Sequence, residues 1–440
     1  MYLQSYVLGI VWGICIWECY LNLRQYYLVV FHKDIDISEF IIRCLSSDKF
    51  EKGRHYHKDK LQITFPKIIG NALITTVIIR NGFYAKLWYF LDDYVPVGGD
   101  LFLSLLWLLI VNVGTAFINY PLTLFDTVYL KEKHDQPGQQ FFFNFTKTYI
   151  EDLLNYQTLH GLIYITTFLV VSSTDQYFLF VLWIMGCLIL LLMDTAYDIL
   201  FLKKTLLTDP KLKQGFGYLA SKVNFPTNDL HIIYSRKEWS TIARISGFLG
   251  YEQVYIHERA IFKLTDDELL SILAQQLGWW MCEHNIVQIF FKEMYLTLVL
   301  TTFSNLFDNT LLYVTFGFSK HHKPFCLGLN LMVWYILLPL NVLLTYIWRF
   351  MYRNQTLDAD NFTKQTKCEK KFLKTLARMN QTNYEQFVCN NSYHKWYHNE
   401  PTIIERYKNL IEEDNTPTKK GFFRNILNML KNSHEDRKKL

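Results

Sequence analysis

Long apolar segments alternate with polar connections along this chain. Crossing about 30 Å of hydrocarbon takes roughly 20 mostly apolar residues in a helix. Seven segments approach that length: about 4–22, 62–82, 101–120, 158–174, 177–196, 287–307 and 325–349. The second carries Lys67 and Arg80 and the sixth carries Lys292 and Glu293, so we expect these two to rely on protein neighbours as well as lipid. The pattern predicts a membrane body of seven helical spans.

The polar stretch between the fifth and sixth spans predicts a small α/β unit. Residues 209–223 have the apolar spacing of a helix, and residues 229–235 and 253–262 have the composition of strands. A further helix is predicted to start at Thr265, because Thr265 and Glu268 can form a capping box, with Leu264 and Leu269 as the hydrophobic staple around it.

The predicted fold class is therefore mainly α, with a seven-helix membrane body and an α/β module. We expect five regions: spans 1–5 at 1–197, the module at 198–286, spans 6–7 at 287–350, a second part of the module at 351–414, and a basic amphipathic tail at 415–440. In the tail, the apolar residues that share one helical face indicate an interfacial helix. They are Phe423, Ile426, Leu427 and Leu430.

Composition agrees with a membrane protein. Half of the 440 residues are hydrophobic and 19% are charged, which is less charge than in an ordinary soluble protein. The net charge of +5 is spread along the chain without a basic stripe, which argues against nucleic-acid binding. The eight cysteines include no CxxC pair, so neither a disulfide framework nor a cysteine zinc site is indicated.

Basic residues in the short loops predict the orientation. The loop between the first two spans is rich in lysine and arginine, from Arg24 to Lys60, whereas the next loop carries Lys86 alone. By the positive-inside rule the first loop is cytosolic, the amino terminus lumenal, and the module and carboxyl terminus cytosolic. Five glycosylation sequons fall on that cytosolic side and are expected to be unused. They begin at Asn144, Asn354, Asn361, Asn380 and Asn390.

The segment ILAQQLGWWMCEH, residues 272–284, has the spacing of a zinc-protease helix without its chemistry. In the HExxH motif two histidines on one helical face bind zinc and the glutamate is the general base. Here those positions hold Gln275, Gln276 and Trp279. Amides are poor zinc ligands, glutamine takes no proton at neutral pH, and indole offers no lone pair. We predict that this site holds no metal and performs no hydrolysis.

Seven short motifs in the right order give the chain a family resemblance. They are YLNLRQ (20–25), FEKGRHYHKDK (50–60), EKHDQPGQQFFF (132–143), VNFPTNDLHII (223–233), DDELLSILAQQLGWW (266–280), LDADNF (357–362) and EPTIIERY (400–407). With the spans between them, they resemble the CAAX prenyl protease 1 family, seven-span zinc endopeptidases of the endoplasmic reticulum and inner nuclear envelope.

The resemblance implies that the family's functional positions are degenerate here. The positions of the first zinc histidine, the catalytic glutamate, the second histidine and the third ligand carry, in that order, Gln275, Gln276, Trp279 and Thr356. Two positions that engage substrate in the family carry Ile242 and Glu400. The residues that match the family are structural: Gly278, Trp280, Ala359, Asp360, Pro401, Glu405 and Arg406. His284 also matches, and we interpret it as structural or interfacial.

These substitutions favour a pseudoprotease. Because neutral groups replace the zinc ligands and the general base, the metal-free site avoids the free-energy cost of uncompensated buried charge. Trp279 is expected to be buried in the space that the metal and its water would occupy. The resemblance implies a protein of the endoplasmic reticulum membrane or nuclear envelope that contacts lipid. Zinc, which the family binds, is predicted to be lost here. It would bind prenylated or membrane-stalled peptides, or partner an active relative. Two alternatives stay open: a zinc metalloendopeptidase that processes prenylated CAAX proteins through a rearranged site, and a structural membrane protein.

Overall fold

The structure is a computed structural model of the full chain. It describes residues 2–31, 47–95, 99–134, 141–174, 177–200, 204–226, 229–234, 242–247, 252–320, 323–382 and 389–412. The predicted amphipathic tail at 415–440 lies outside the described residues.

The first half of the chain is helical up to the α/β module. Its helices are α1 (Tyr2–Phe31), α2 (Ser47–Arg80), α3 (Phe83–Tyr94), α4 (Gly99–Leu124), α5 (Leu130–Lys133), α6 (Phe142–Thr174) and α7 (Phe178–Leu200). A π-helical turn, Phe125–Tyr129, joins α4 to α5. All five predicted spans of this half fall within these helices.

The last two predicted spans are also helical, and the second of them is broken. Helix α11 covers His284–Leu306, and α12 (Thr310–Thr315) and α13 (Phe325–Leu331) follow it. A π-helical turn, Met332–Ile336, leads into α14 (Leu338–Gln365), and the two parts of this span meet at 63°. Pro339 stands in the first turn of α14, where its missing N–H breaks no helical hydrogen bond.

By length and apolarity, fewer of the described helices qualify as membrane spans than the seven that the sequence predicts. Four helices among the described residues are long and apolar enough by themselves, and the bent pair makes a fifth. The predicted fourth span lies in α6, whose first half carries Lys147, Glu151 and Asp152. Its apolar part is therefore short. The predicted fifth span is represented by a shorter apolar helix, Phe178–Leu191.

The sixth predicted span does rely on a protein neighbour. The Cys187 thiol on α7 donates a hydrogen bond to the Glu293 carboxylate on α11 at 2.8 Å, and Trp183 Nε1 donates to Thr297 Oγ1 at 2.9 Å one turn away. Gly186 lies between these contacts, where an added Cβ would come within 2.4 Å of Leu296. The two helices thus approach closely, and the polar groups of α11 are bonded across the interface.

The α/β module contains a four-stranded sheet. Its strands are β1 (Lys204–Leu206), β2 (Leu230–Ile233), β3 (Ala243–Ser246) and β4 (Gln253–His257), in the order β1-β2-β4-β3. The central pair is parallel and both edge strands are antiparallel to their neighbours. Helix α8 (Pro210–Ser221) confirms the predicted helix and is capped by Asp209.

One strand is shorter than the sequence predicted. Residues 253–262 were expected to form a strand, but β4 ends at His257 and helix α9 covers Glu258–Lys263. The reason is a cap that apolar enrichment does not reveal: the His257 side chain accepts a hydrogen bond from the backbone N–H of Arg259 at 3.1 Å. That bond satisfies a donor of the new helix.

The module core joins residues that are distant in sequence. Helix α10 (Asp266–Met281) packs against the sheet, against α8 and against the end of α14. Helices α15 (Glu369–Thr382), α16 (Asn391–Tyr397) and α17 (Ile403–Tyr407) complete the carboxyl-terminal part. Side chains from both parts share one core, among them Phe216, Val254, Leu273, Phe362 and Phe372. The described residues of 204–281 and 359–412 therefore share a single core around α10.

Candidate functional site

Helix α10 positions the candidate site. The predicted capping box is confirmed: the Glu268 carboxylate accepts from the backbone N–H of Thr265 at 2.9 Å, and the Thr265 side chain accepts from the backbone at Glu268. This start fixes the phase of the helix. One side, which includes Leu273 and Leu277, is buried in the core, and Gln275 and Trp279 are one turn apart.

The two glutamines of the motif are bonded to each other. Gln276 Nε2 donates to Gln275 Oε1 at 2.7 Å. Gln275 is buried, at 7% exposure, beside the Asp360 carboxyl group of α14, whose pKa is raised by burial to about 7. Gln276 is half-buried. The two amides at these positions thus form a neutral hydrogen-bonded pair next to a buried carboxyl group.

Trp279 is half-buried, so the expectation that it fills the vacated space completely is wrong. Its indole Nε1 donates to Asn285 Oδ1 at 3.0 Å, and its ring lies 5.0 Å from the rings of His284 and Tyr352. A buried indole needs an acceptor for its N–H. The acceptor here is Asn285, just past the end of α10, which draws the ring toward the helix end. Trp280 is the tryptophan that packs on the module core.

Thr356 is buried on α14, and its hydroxyl is satisfied by its own helix. Oγ1 donates to the Tyr352 carbonyl at 2.9 Å. Helices α10 and α14 meet closely at Gly278, where an added Cβ would lie 2.4 Å from the Ala359 carbonyl oxygen. Gly278 and Ala359 are therefore needed for packing, which explains why they match the family while the ligand positions do not.

A network of four charged residues surrounds the retained Asp360. Asp360 is fully buried, and its Oδ1 lies 3.5 Å from Arg406 Nη1. Arg406 Nη2 donates to the exposed Glu400 carboxylate at 2.9 Å. Arg353 donates to the Glu405 carboxylate and to the Glu400 carbonyl. Truncating one member of such a buried network leaves another charge unpaired, so these residues hold the carboxyl-terminal segment onto α14.

Sequence reasoning missed Arg353 and His394. Arg353 Nη1 donates to His394 Nδ1 at 2.6 Å, and the His394 and His398 rings are stacked 4.7 Å apart. Burial of the ring, with repulsion from His398 and Arg353, lowers the pKa of His394 to about 3. The sequence feature that could have pointed to Arg353 is its position one turn before Thr356, on a helix that leaves the membrane region.

Ile242 lies at the sheet rather than in the polar network. It directly precedes β3, its carbonyl accepts from the His257 backbone N–H at 2.9 Å, and its side chain packs on the module core. An amide at this position could face a bound peptide, but Ile242 turns to the core. His284 is buried at 7% exposure against Trp279, as expected of a structural residue.

The side chains at the family's zinc positions do not fit the metal. Two amides, an indole and a hydroxyl bonded to its own helix replace imidazole and carboxylate ligands. Nowhere in the described part of the chain do three His, Cys, Asp or Glu side chains form a group that could hold a metal ion. The Asp360 carboxyl group, the nearest acidic group of the network, lies 3.5 Å from Arg406, and burial raises its pKa to about 7.

Comparisons with known proteins identify the class of protein to which this chain belongs. Residues 27–202 match the family model described as CAAX prenyl protease N-terminal, five membrane helices, and residues 206–414 match Peptidase family M48. The fold is that of a membrane-embedded M48 protein, a helical body with an α/β module. Together these matches cover most of the chain. It belongs to the CAAX prenyl protease 1 family, which confirms the resemblance and the fold class.

Individual relatives are distant in sequence but similar over nearly their whole length. The CAAX prenyl protease 1 homolog of Mus musculus is 23% identical over 91% of this chain and 93% of its own. CAAX prenyl protease 1 of Saccharomyces cerevisiae is 22% identical over 88% and 91%. The crystal structure of S. mikatae Ste24p has a TM-score of 0.79 at 21% identity, covering 93% of this chain and 99% of that one. That likeness concerns the fold alone.

Proposed function

We propose that this protein is a non-catalytic member of its family, a pseudoprotease that binds peptides without cleaving them. The observation that carries the proposal is the hydrogen bond from Gln276 to Gln275, beside the buried carboxyl group of Asp360. Hydrolysis by a zincin requires a metal that activates water and a carboxylate that takes its proton. At these positions the chain presents amides that already bond one another.

The edge of the sheet supports peptide binding. In an antiparallel pair, residues alternate between those bonded to the neighbour and those whose N–H and C=O point outward. Ile242 bonds His257, so Ala243 and Ile245 direct their backbone groups away from β4. Since β3 is an edge strand, an extended peptide can add to it by backbone hydrogen bonds. This mode of binding needs neither zinc nor a base.

The names of the relatives suggest the client. They are CAAX prenyl proteases, and the peptide that we propose for this chain is a prenylated CAAX segment. Membrane-stalled peptides and an active relative are the other partners that the sequence suggested. Each would bind to the same fold, and none would require hydrolysis at Gln275, Gln276 and Trp279.

The decisive experiment pairs binding with cleavage on one sample. The purified full chain in detergent is titrated with a fluorescent farnesylated CAAX peptide, and the same peptide is followed by mass spectrometry for hydrolysis. We expect saturable binding, weaker binding of the unfarnesylated peptide, and no cleavage. Cleavage that zinc chelation abolishes would favour the rearranged-site enzyme, and equal, non-saturable binding of both peptides would favour a structural membrane protein.

Binding of the peptide to the edge of β3 can be tested with N-methylated versions of the peptide. N-methylation at alternate residues removes the N–H groups that face β3, whereas methylation of the intervening residues removes those that face away. One of the two methylated series should lose affinity about tenfold and the other should not. Equal loss in both series would contradict strand addition while leaving the question of catalysis unaffected.

Localisation and orientation belong to the same proposal. We infer residence in the endoplasmic reticulum membrane, extending to the nuclear envelope, with the amino terminus in the lumen and the module in the cytosol. The test is glycosidase sensitivity in cells: a sequon added before Met1 should acquire a glycan, whereas Asn361 and Asn380 should not. A glycan on either of the latter would place the carboxyl half in the lumen.

A further inference from the structure

A cluster of cations lies where three predicted spans end, apart from the degenerate zinc positions. Lys60 stands just before the second predicted span, Arg349 ends the seventh, and Glu18 is near the end of the first. Helix α16 packs against both α1 and α14 at this level. It places His394 and His398 beside the polar face of α14, on which Arg349 and Arg353 are one turn apart.

This cluster contains more positively charged side chains than carboxylates. Arg353 is paired with Glu405. In the described part of the chain, Lys60 has the Tyr56 ring 5.8 Å away as its partner, and half-buried Arg349 has electrostatic neighbours, Glu18 and Tyr397, without an ion pair. A partly buried guanidinium without a bonded acceptor is costly, which points to an acceptor supplied from outside the chain.

His398 marks the point on which the cations converge. Its ring is stacked on His394 with the planes 21° apart. Burial against these neighbours, with repulsion from Lys60, Arg349 and Arg353, lowers the pKa of His398 to about 4.

Two hydrogen bonds bring these parts of the chain together. Asn22 of α1 donates to the hydroxyl of Tyr397, next to His398, at 2.9 Å. Gln62, two residues after Lys60, donates to the hydroxyl of Tyr26, one turn from Asn22, at 3.2 Å. An anion placed among the three cations would relieve their mutual repulsion.

Aromatic side chains border the cluster on the membrane side. Trp396 of α16 lies 5.8 Å from Trp17 of α1 and 6.1 Å from Tyr346 of α14, measured between ring centroids. Trp17 and Tyr346 are exposed. Tryptophan and tyrosine concentrate at the headgroup level of membranes, and basic pockets between spans at that level bind anionic headgroups. Apolar chains would continue along the exposed faces of α1 and α14.

We propose that Lys60, Arg349 and His398 form a binding site for the phosphate group of an anionic phospholipid. The site goes beyond the proposed peptide binding and does not depend on it. Lys60 and Arg349 supply charge from two different helices, His398 supplies a hydrogen-bond donor, and the aromatic border orients the acyl chains into the bilayer.

Native mass spectrometry of the purified full chain tests the site with dioleoylphosphatidic acid and, as the zwitterionic comparison, dioleoylphosphatidylcholine. The double variant Lys60→Gln/Arg349→Gln should lose phosphatidic acid binding, by about fivefold for each removed cation. The matched control Lys52→Gln/Arg24→Gln removes two exposed cations and should bind like wild type. The variant Lys60→Arg/Arg349→Lys keeps both charges and should retain most binding, with an unchanged melting temperature as the check on folding.

A second arm distinguishes the source of the phosphate. Inorganic phosphate, compared with chloride at equal ionic strength, should not stabilise wild type saturably if a lipid is the ligand. Saturable stabilisation that the glutamine double variant loses would assign the site to a soluble phosphate and overturn the lipid. Equal phosphatidic acid binding by wild type, the glutamine double variant and the control would overturn the site itself.

Discussion

The side-chain amide of Gln276 donates to the side-chain oxygen of Gln275 across 2.7 Å. These neighbours occupy the positions at which the resemblance places a zinc histidine and the catalytic glutamate. A side-chain bond between adjacent residues on one helix requires both side chains to bend toward each other. Here the buried Asp360 carboxyl group of α14 lies next to Gln275, and the close packing of Gly278 against Ala359 joins α10 to α14 without a metal.

The first prediction concerns zinc. The purified chain should contain far less than one zinc per molecule, because no pair of strong ligands remains at Gln275, Trp279 and Thr356. Elemental analysis measures this directly, with an active family member prepared in parallel as the positive control. One tightly bound zinc per chain, lost on Gln275→Ala, would contradict the prediction.

The converse substitution extends that test. Restoring Gln275→His, Gln276→Glu, Trp279→His and Thr356→Glu should recover zinc binding but little cleavage. The reason is that Ile242 turns into the core and Glu400 is bound to Arg406, so substrate would still be held poorly. Peptidase activity comparable to that of the active relative would show that these two positions matter less than we infer.

The second prediction separates the two tryptophans of α10. Trp280→Ala should lower the free energy of unfolding by roughly 2 to 3 kcal/mol, because the half-buried Trp280 packs on the module core and lies edge-on against Phe225 at 4.9 Å. Trp279→Ala should lower it by roughly 1 kcal/mol, because the half-buried ring of Trp279 lies outside the module core. Denaturant titrations of the two variants measure the difference, and the opposite order would mean that Trp279 does fill a core position.

The third prediction uses glycine to test the contact between α10 and α14. Gly278→Ala should destabilise the protein by about 1 to 3 kcal/mol, because the new Cβ would meet the Ala359 carbonyl at 2.4 Å and Phe362 at 2.7 Å. Gly70→Ala is the matched helical control: nothing lies within 4 Å of its Cβ, and it should be neutral or slightly stabilising. Equal melting temperatures for the two variants would disprove close packing at Gly278.

The fourth prediction is a pH dependence of stability. Folding lowers the pKa of His394 from 6.5 to about 3, so between these values the unfolded chain binds more protons. The free energy of unfolding should then decrease as pH falls below 6.5, by on the order of 1 kcal/mol per pH unit. His394→Gln should make the loss of thermal stability between pH 7 and pH 5 smaller than in wild type, with the remainder coming from His398 and His284, whose pKa values are each lowered to about 4 mainly by burial. His55→Gln, on an exposed position, should leave the profile unchanged. A His394→Gln profile as steep as wild type would refute the assignment.

The sequence alone determined the elements whose causes are local. Apolar segments gave the membrane helices, and Thr265 with Glu268 determined where α10 starts, since a capping box is complete within four residues. The order of the motifs identified the family. Apolar length was a weaker guide to the number of spans, because the charges in the first half of α6 shorten its apolar part.

Tertiary structure decided the contacts that join distant residues. Arg353 meets His394 and Asp360 meets Arg406 across more than 40 residues of chain, and no periodicity encodes such pairs. The exposure of Trp279 depended on Asn285 lying past the helix end, and the end of β4 depended on the cap by His257. In each case a polar group is paired with a partner that only the folded chain brings near. A buried polar group without a partner costs more free energy than the local conformational preference that the pairing overrides.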